Sequence, residues 1–426
     1  MLYSETVVII MRESGQKWLG LIPFNWKLSR IGSLYLLRNE KVSDKDYPPL
    51  SVTMGGIVPQ LDTAAKTDNG DNRKLVRTGD FAINSRSDRR GSCGISKYDG
   101  SVSLINTVLE PREKMNPNYY NWLFHTVLFA DEFYKWGHGI VDDLWTTRWQ
   151  EMKRIVVPVP PLTEQLLIAD YLNDTVSKID SIIEQAKSSV EEYKQWKAAT
   201  IFEAVVRGIN HGVNYKDSHD SRVGKIPSHW KMAKVKQVAK LNPNVSTSNL
   251  TPETEVSFAP MECIRTDVRI EREALFAENN SSYSVFNDGD IALAKVTPCF
   301  QNSNVCVMRD LKNGFCFGSS ELFNVRPFSI NTRYLLYFFM TETFIEGGVA
   351  SMTGVAGLQR VSSTYVRNAA LPLPPQEEQE AIVEFLDERC GKIDELILEK
   401  SSLIEDLESY KRSLIYETVT GKRKVV

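Results

Sequence analysis

Polar side chains able to grip or read a polyanion gather in two stretches of the chain. In the first, Arg86, Arg89 and Arg90 crowd beside Asn84, Ser85 and Ser87. An arginine fork can make paired hydrogen bonds to a guanine edge, or simply hold a phosphate. Lys74, Arg77 and Lys97 flank that cluster and suit phosphate. In the second stretch Lys295, Thr297, Gln301, Asn302 and Asn304 follow closely on one another, and amide side chains match an adenine edge. Arg265 and Arg269 lie upstream as further candidates. Taken singly, each of these residues reads equally well as an exposed loop polar. The chemistry they suggest needs support from the rest of the chain.

Catalytic constellations are weaker. Asn116-Pro117-Asn118-Tyr119 is similar to the Asn-Pro-Pro-Tyr motif of amino-methyltransferases but departs at its third position. No glycine-rich cofactor turn stands upstream of it, so it reads as the turn opening a helix. Glu151-Met152-Lys153 has the ExK spacing of some nucleases, yet lacks the further carboxylate that metal-dependent cleavage needs. No GxxxxGK[ST] phosphate loop is present. Cys93, Cys263, Cys299, Cys306, Cys316 and Cys390 form no CxxC pair, and the five histidines form no HExxH. The reading is a chain with no catalytic residues, no metal and no cofactor, with reduced thiols in the cytoplasm. No apolar run approaches the length of a membrane span.

The elements that must position those side chains announce themselves by repetition. Residues 158–203 recur at 372–417, each number raised by 214, with no gap. Pro160-Pro161 falls on Pro374-Pro375, Glu164-Gln165 on Glu378-Gln379, and Lys178-Ile179-Asp180 on Lys392-Ile393-Asp394. A proline pair can precede a helix but not sit inside one. Thr163 is the expected N-cap of the first copy, and the glutamates after each proline pair suit a helix start. Arg207-Gly208 and Gly421 are C-terminal stops. About 44 helical residues, roughly 65 Å at 1.5 Å per residue, lie between those signals.

Apolar residues within each copy step by four and three. The first seam is Leu172, Val176, Ile179, Ile183, Ala186, Val190 and Tyr193. The second is Leu386, Cys390, Ile393, Ile397, Lys400, Ile404 and Leu407. Such spacing is that of a left-handed coiled coil. It is imperfect, broken at Ala186/Lys400 and at Lys197/Lys411. The simplest partner for each helix is the other copy. Two ordinary core helices in separate domains are the alternative, disfavoured by their length.

Charge is divided unevenly. The chain's formal net charge is −3, but residues 163–207 and 376–420 together hold ten bases against twenty-one acids, a net −11. The remainder therefore carries +8. Acidic helices joined to basic lobes suit protein partners on the former and polyanion on the latter. On charge alone, a solvated helix face explains the acids equally well.

The lobes repeat less faithfully. Gly20, Ile22, Pro23 and Trp26 recur 204 residues on as Gly224, Ile226, Pro227 and Trp230. Strands are expected at Leu50–Thr53, after Gly79-Asp80, and over Val102–Leu109, with a helix at Asn118–Phe133. The second lobe matches with a strand after Gly289-Asp290, another at Glu321–Val325, and a helix at Arg333–Ile345. Between these landmarks the residues differ, SRSDRRGSCG against VTPCFQNSN. The expected division is an extension over 1–11, lobes at 12–155 and 211–369, and helical regions at 156–210 and 370–426. The extension reads as a disordered tail, or as sequence ahead of a true start at Met11.

This layout resembles the specificity subunit of type I restriction–modification systems. The residues that carry the resemblance are ESGQKWLGLIPFNW and its echo KIPSHWK, both Gly-Asp turns, and PVPPLTEQ and PLPPQEEQ with their KID helices and EAVVRG and ETVTGK endings. It covers nearly the whole chain. No single motif is very specific, but their order, twice over, is. The resemblance implies an α+β fold of two target-recognition domains with small mixed or antiparallel sheets. An antiparallel two-helix coiled coil would separate them with pseudo-twofold symmetry. It also implies double-stranded DNA as ligand, each domain reading half of an asymmetric bipartite site. Two methyltransferase subunits would dock on the helices, restriction subunits would join, and the chain itself would catalyse nothing. A two-headed coiled-coil adaptor binding proteins through both lobes is the alternative. Sequence-specific, salt-sensitive DNA binding separates the two.

Overall fold

The computed structural model describes residues 10–61, 70–112, 115–139, 145–276, 282–355 and 357–425. Of the expected extension, residues 1–9 lie outside the described residues. The chain divides into two compact units, residues 1–187 with 402–426, and residues 188–401. Each is α+β. Among the described residues, no helix is long and apolar enough to cross a membrane.

The repeated segments form two long helices, Leu162–Arg207 and Gln376–Val419. The first begins one residue before Thr163, so Thr163 lies inside the first turn and is not the cap. Both end on a left-handed glycine, Gly208 at φ +75° and Gly421 at φ +73°. These positions also have no room for a side chain. A Cβ on Gly208 would meet the Trp230 ring at 3.0 Å, and one on Gly421 would meet Pro23 at 2.3 Å and Trp26 at 2.9 Å.

Those tryptophans reveal the helix direction. In the first unit Trp26 Nε1 donates to Glu164 Oε2 at 2.7 Å, at the start of the first helix, while its ring lies against Gly421, past the end of the second. In the second unit Trp230 Nε1 donates to Glu378 Oε2 at 2.9 Å, at the start of the second helix, with its ring against Gly208, past the end of the first. The start of one helix and the end of the other meet at one indole in each unit, so the helices pack antiparallel. Tyrosines repeat the arrangement: Tyr119 OH donates to Val419 O at 2.7 Å, and Tyr334 OH to Val205 O at 2.9 Å.

The heptad face supplies the core between them. Leu172, Val176, Ile179 and Ile183 join the first unit's core, where Ile404 and Leu407 pack against it half-buried. Leu386 and Cys390 join the second unit's core. Ile393 and Val190 are buried, and Tyr193 and Ile397 half-buried. The seam lysines have partners. Lys197 Nζ lies 2.7 Å from Asp394 within the second unit, and Lys411 Nζ 2.6 Å from Asp180 within the first. All four residues belong to the repeat, each pair being the other raised or lowered by 214.

Each lobe is built on the same four-stranded antiparallel sheet. In the first unit the order is Cys93–Ile95, Phe81–Asn84, Asn106–Pro111, Tyr35–Arg38. In the second it is Val305–Val307, Ile291–Ala294, Leu322–Pro327, Ala239–Leu241. The Gly-Asp turns enter the second strand of each. Gly79 and Gly289 supply the positive φ, 92° and 88°. Asp80 accepts from Arg38 Nε at 2.6 Å, and Asp290 from Arg326 Nε at 2.6 Å. Arg38 comes from the edge strand and Arg326 from its neighbour, so the same carboxylate is neutralised from different strands.

Beyond that sheet the lobes diverge. The first carries the hairpin Leu50–Thr53/Gly56–Pro59 and a three-stranded sheet of Gly100–Val102, Arg73–Val76 and Lys41–Val42. The second carries a mixed four-stranded sheet, with Glu255–Ala259 parallel to Phe315–Gly318. It also holds the small hairpin Ile264–Arg265/Val268–Arg269. The helix expected in each lobe is two helices, Pro117–Phe124 with Val127–Lys135, and Thr332–Phe339 with Glu342–Ala350. An antiparallel strand pair closes each lobe, Lys27–Arg30 with Val156–Val159 and Lys231–Lys234 with Ala370–Leu373.

Candidate nucleic-acid interface

Each lobe is aimed by the residue after the clamping glutamate. Gln165 Oε1 accepts from the Asn116 backbone N–H at 2.9 Å, and its amide donates to Pro160 O at 2.8 Å. Gln379 does the same with Asn331 N–H at 2.8 Å and Pro374 O at 2.9 Å. Asn116 and Asn331 are N-caps, each side chain accepting from two backbone N–H groups of the helix that follows. The Asn-Pro-Asn-Tyr stretch is thus a helix start docked on a long helix. Glutamate and glutamine of the repeat together fix the tryptophan corner and the lobe's helix to one helical end.

In the first lobe the candidate side chains fall into two groups. Asn84 and Ser85 are buried and build the turn: Asn84 Oδ1 accepts from Arg86 N–H at 3.0 Å, and Ser85 Oγ lies 3.0 Å from Thr107 Oγ1. Lys74 folds inward, donating to Asn106 O at 2.6 Å, and burial lowers its pKa. Arg90 pairs with Asp131 and lies 5.3 Å over the Tyr134 ring. Arg86 is half-buried, its backbone bridged to Thr146. Arg77, Arg89 and Lys97 are exposed, Arg89 with only a 3.8 Å approach to Asp88 on the short 3-10 turn Ser87–Arg89.

The second lobe sorts its candidates in the same way. Arg269 is nearly buried, its Nη2 donating to Arg309 O at 3.0 Å. Lys295 lies 5.0 Å over the Phe323 ring, and burial pushes its pKa down. Asn304 is buried, and Thr297 Oγ1 accepts from Gln359 N–H at 3.1 Å. Arg265, Gln301 and Asn302 are exposed. These last three come from stretches far apart in sequence, and Thr266 joins them: its hydroxyl donates to Asn302 O at 3.1 Å.

Sequence reasoning missed the group that supports that turn. Arg333 bridges Asp267 and Asp387, with Tyr337 beside it. Its one signal was a charged residue, Arg333, in the second lobe's helix start where the first lobe has Asn118. The lysine–aspartate pairs between helices were legible in principle, because seam breaks and KID aspartates share the 214 offset. Among the described residues, no group of histidines, cysteines or carboxylates could hold a metal ion.

Comparison with known proteins gives a consistent outcome. The family model described as type I restriction modification DNA specificity domain matches residues 227–406. The type I restriction enzyme EcoAI specificity subunit of Escherichia coli is 35% identical over 209 residues, 48% of this chain. The chain spans about a third, 34%, of that relative's length. The MjaVIII specificity subunit of Methanocaldococcus jannaschii is 24% identical over 448 residues, 98% of this chain and 99% of that protein. A chain solved in work on complex assembly and conformational transition of the type I R-M system matches with a TM-score of 0.70. That match, at 14% identity, covers 94% of this chain and 99% of the other, and it is a likeness of fold.

Proposed function

We propose, from the premise that this chain belongs to the family of type I restriction–modification DNA specificity subunits, that it is the sequence-reading, non-catalytic subunit of such a complex. Residues 12–155 and 211–369 each read one half of an asymmetric bipartite site in double-stranded DNA. The two long helices set the spacing and dock two methyltransferase subunits, with restriction subunits joining that core in the cytoplasm. The relatives named above are specificity subunits by description, which supports the assignment.

One observation carries the reading. The same scaffold occurs twice, with identical helix-start clamps, and presents unlike polar groups: Arg77, Arg89 and Lys97 from one lobe, Arg265, Gln301 and Asn302 from the other. A repeated frame with different exposed donors is what two unlike half-sites require. A protein adaptor would have no need of basic lobes, and the +8 outside the helices favours DNA.

The test is coexpression with the methyltransferase subunits and methylome sequencing. A methylated motif of two different halves around a fixed gap is the expected result. Methylation with no sequence preference, together with salt-insensitive binding, would leave the adaptor reading in its place. Arg89→Ala should weaken recognition of one half-site only, by roughly 1–3 kcal/mol if it contacts a base.

A further inference from the structure

A single arginine ties the second lobe's exposed turn to the long helix. Arg333 lies in the first turn of Thr332–Phe339. Its Nη1 donates to both carboxylate oxygens of Asp267, each at 2.8 Å. Its Nε donates to Asp387 Oδ1 at 3.1 Å, on the second long helix, and Nη2 reaches the same oxygen. Tyr337, one helical turn on, donates its hydroxyl to Asp387 at 2.5 Å and carries the guanidinium 5.2 Å over its ring.

Asp267 sits in the turn of the hairpin Ile264–Arg265/Val268–Arg269, in a left-handed conformation at φ +55°. A non-glycine residue there needs compensation. It comes from Arg333 and from the Asp267 N–H, which donates to Val305 O at 2.7 Å. Thr266 then binds Asn302 O. One connected network therefore runs from the helix, through Arg333 and the turn, to the two stretches that bear Arg265 and Gln301-Asn302.

The first unit has a different arrangement at the matching positions. Asn118 stands for Arg333, Trp122 for Tyr337 and Asn173 for Asp387. Trp122 Nε1 donates to Asn173 Oδ1 at 2.9 Å, and a cleft of about 890 Å³ opens beside them, reaching Gly56, Lys97 and Lys411. Among the described residues no ion pair joins that lobe to the helix.

We infer that Arg333 is a positioning residue, which holds the 266–267 turn against the second long helix so that Arg265, Gln301 and Asn302 meet one half of the DNA target in a single orientation. The inference rests on the DNA-recognition reading. Arginine suits this task because its planar fork holds five donors in a fixed geometry and can lie over the Tyr337 ring, whereas a lysine ammonium is a single point charge on a flexible stem.

The experiment uses the full chain with its methyltransferase subunits and three variants, Arg333→Met, Arg333→Lys and Asp267→Asn. Binding is measured on the target and on duplexes with single-base changes in either half. Arg333→Met and Asp267→Asn should cut discrimination in one half by ~10-fold, a base contact's worth, and leave the other half unchanged. Arg333→Lys should fall between them and wild type. Amide exchange over residues 264–269 should rise in the same variants. Asp267→Asn leaves the Arg333–Asp387 bond in place, so it carries the test if Arg333→Met does not fold. Wild-type discrimination in both halves, or equal loss in both, overturns the inference. A wild-type complex without sequence preference would sink the recognition reading instead; unchanged exchange at 264–269 would then overturn the clamp too.

Discussion

A buried indole N–H deprived of its acceptor costs on the order of 1–3 kcal/mol. Trp26 and Trp230 are 2% and 0% exposed, and Glu164 and Glu378 are their acceptors. Glu164→Ala or Glu378→Ala should each lower unfolding free energy by about that amount, read by urea denaturation. Glu321 allows a pH test. Hydrogen bonds from Arg360, at 2.8 and 2.7 Å, hold its carboxyl below the usual glutamate range. A depressed folded pKa adds stability above the unfolded value, about 4.3, which is lost as pH falls through the folded value. Wild type should therefore exceed Glu321→Gln in stability at pH 7, and the gap should narrow in acid. A gap that stays constant or widens would refute the coupling. Residue type was readable in the sequence at the candidate interface, but side-chain direction was not. Lys74, Arg269 and Lys295 look like free cations in a string of letters. Strand register turns Lys74 and Arg269 inward, and Lys295, just past a strand end, folds over Phe323; each depends on partners distant in sequence.

At the scale of elements, legibility followed length. The long helices were bounded to within a residue or two because a proline pair precedes each and a glycine follows it. The lobe helices were merged, since apolar residues resume directly after the short polar breaks in WLFHTVLF and LYFFMTETF. Thr126 and Thr341 break them, each in an extended conformation with its hydroxyl donating to the carbonyl three residues back, at 2.8 and 2.7 Å. Leucine and lysine on the helix seam should differ sharply in worth. Leu172 and Leu386 are fully buried, so Leu→Ala at either should cost about 2–5 kcal/mol. Lys197 and Lys411 pair with aspartates that are half exposed, and a pair of that kind is worth under about 1 kcal/mol. Lys197→Ala and Lys411→Ala should be mild in denaturation. Large losses there would mean that the ion pairs, rather than the apolar face, hold the helices.

For the whole molecule, the decisive fact is that each long helix begins in one unit and ends in the other. If the helices carry the spacing between half-sites, shortening both must shorten the gap. Removing residues 186–192 and 399–405 takes one heptad from each helix, between the two lysine–aspartate pairs. Two turns of a 3.5-residue repeat are lost, so the apolar faces stay in phase. The helices shorten by roughly 10 Å at 1.5 Å per residue, the length of about three base pairs at 3.4 Å each. Three base pairs also turn the duplex by roughly 100°, given about 10 per turn, whereas a lost heptad rotates the helix faces far less. The variant must therefore twist the DNA or strain its own helices, and modification should be less complete at the new gap. Methylome sequencing should show both half-sites unchanged in sequence and their separation reduced by about three base pairs. An unchanged separation would mean that the lobes, and not the helices, set the distance.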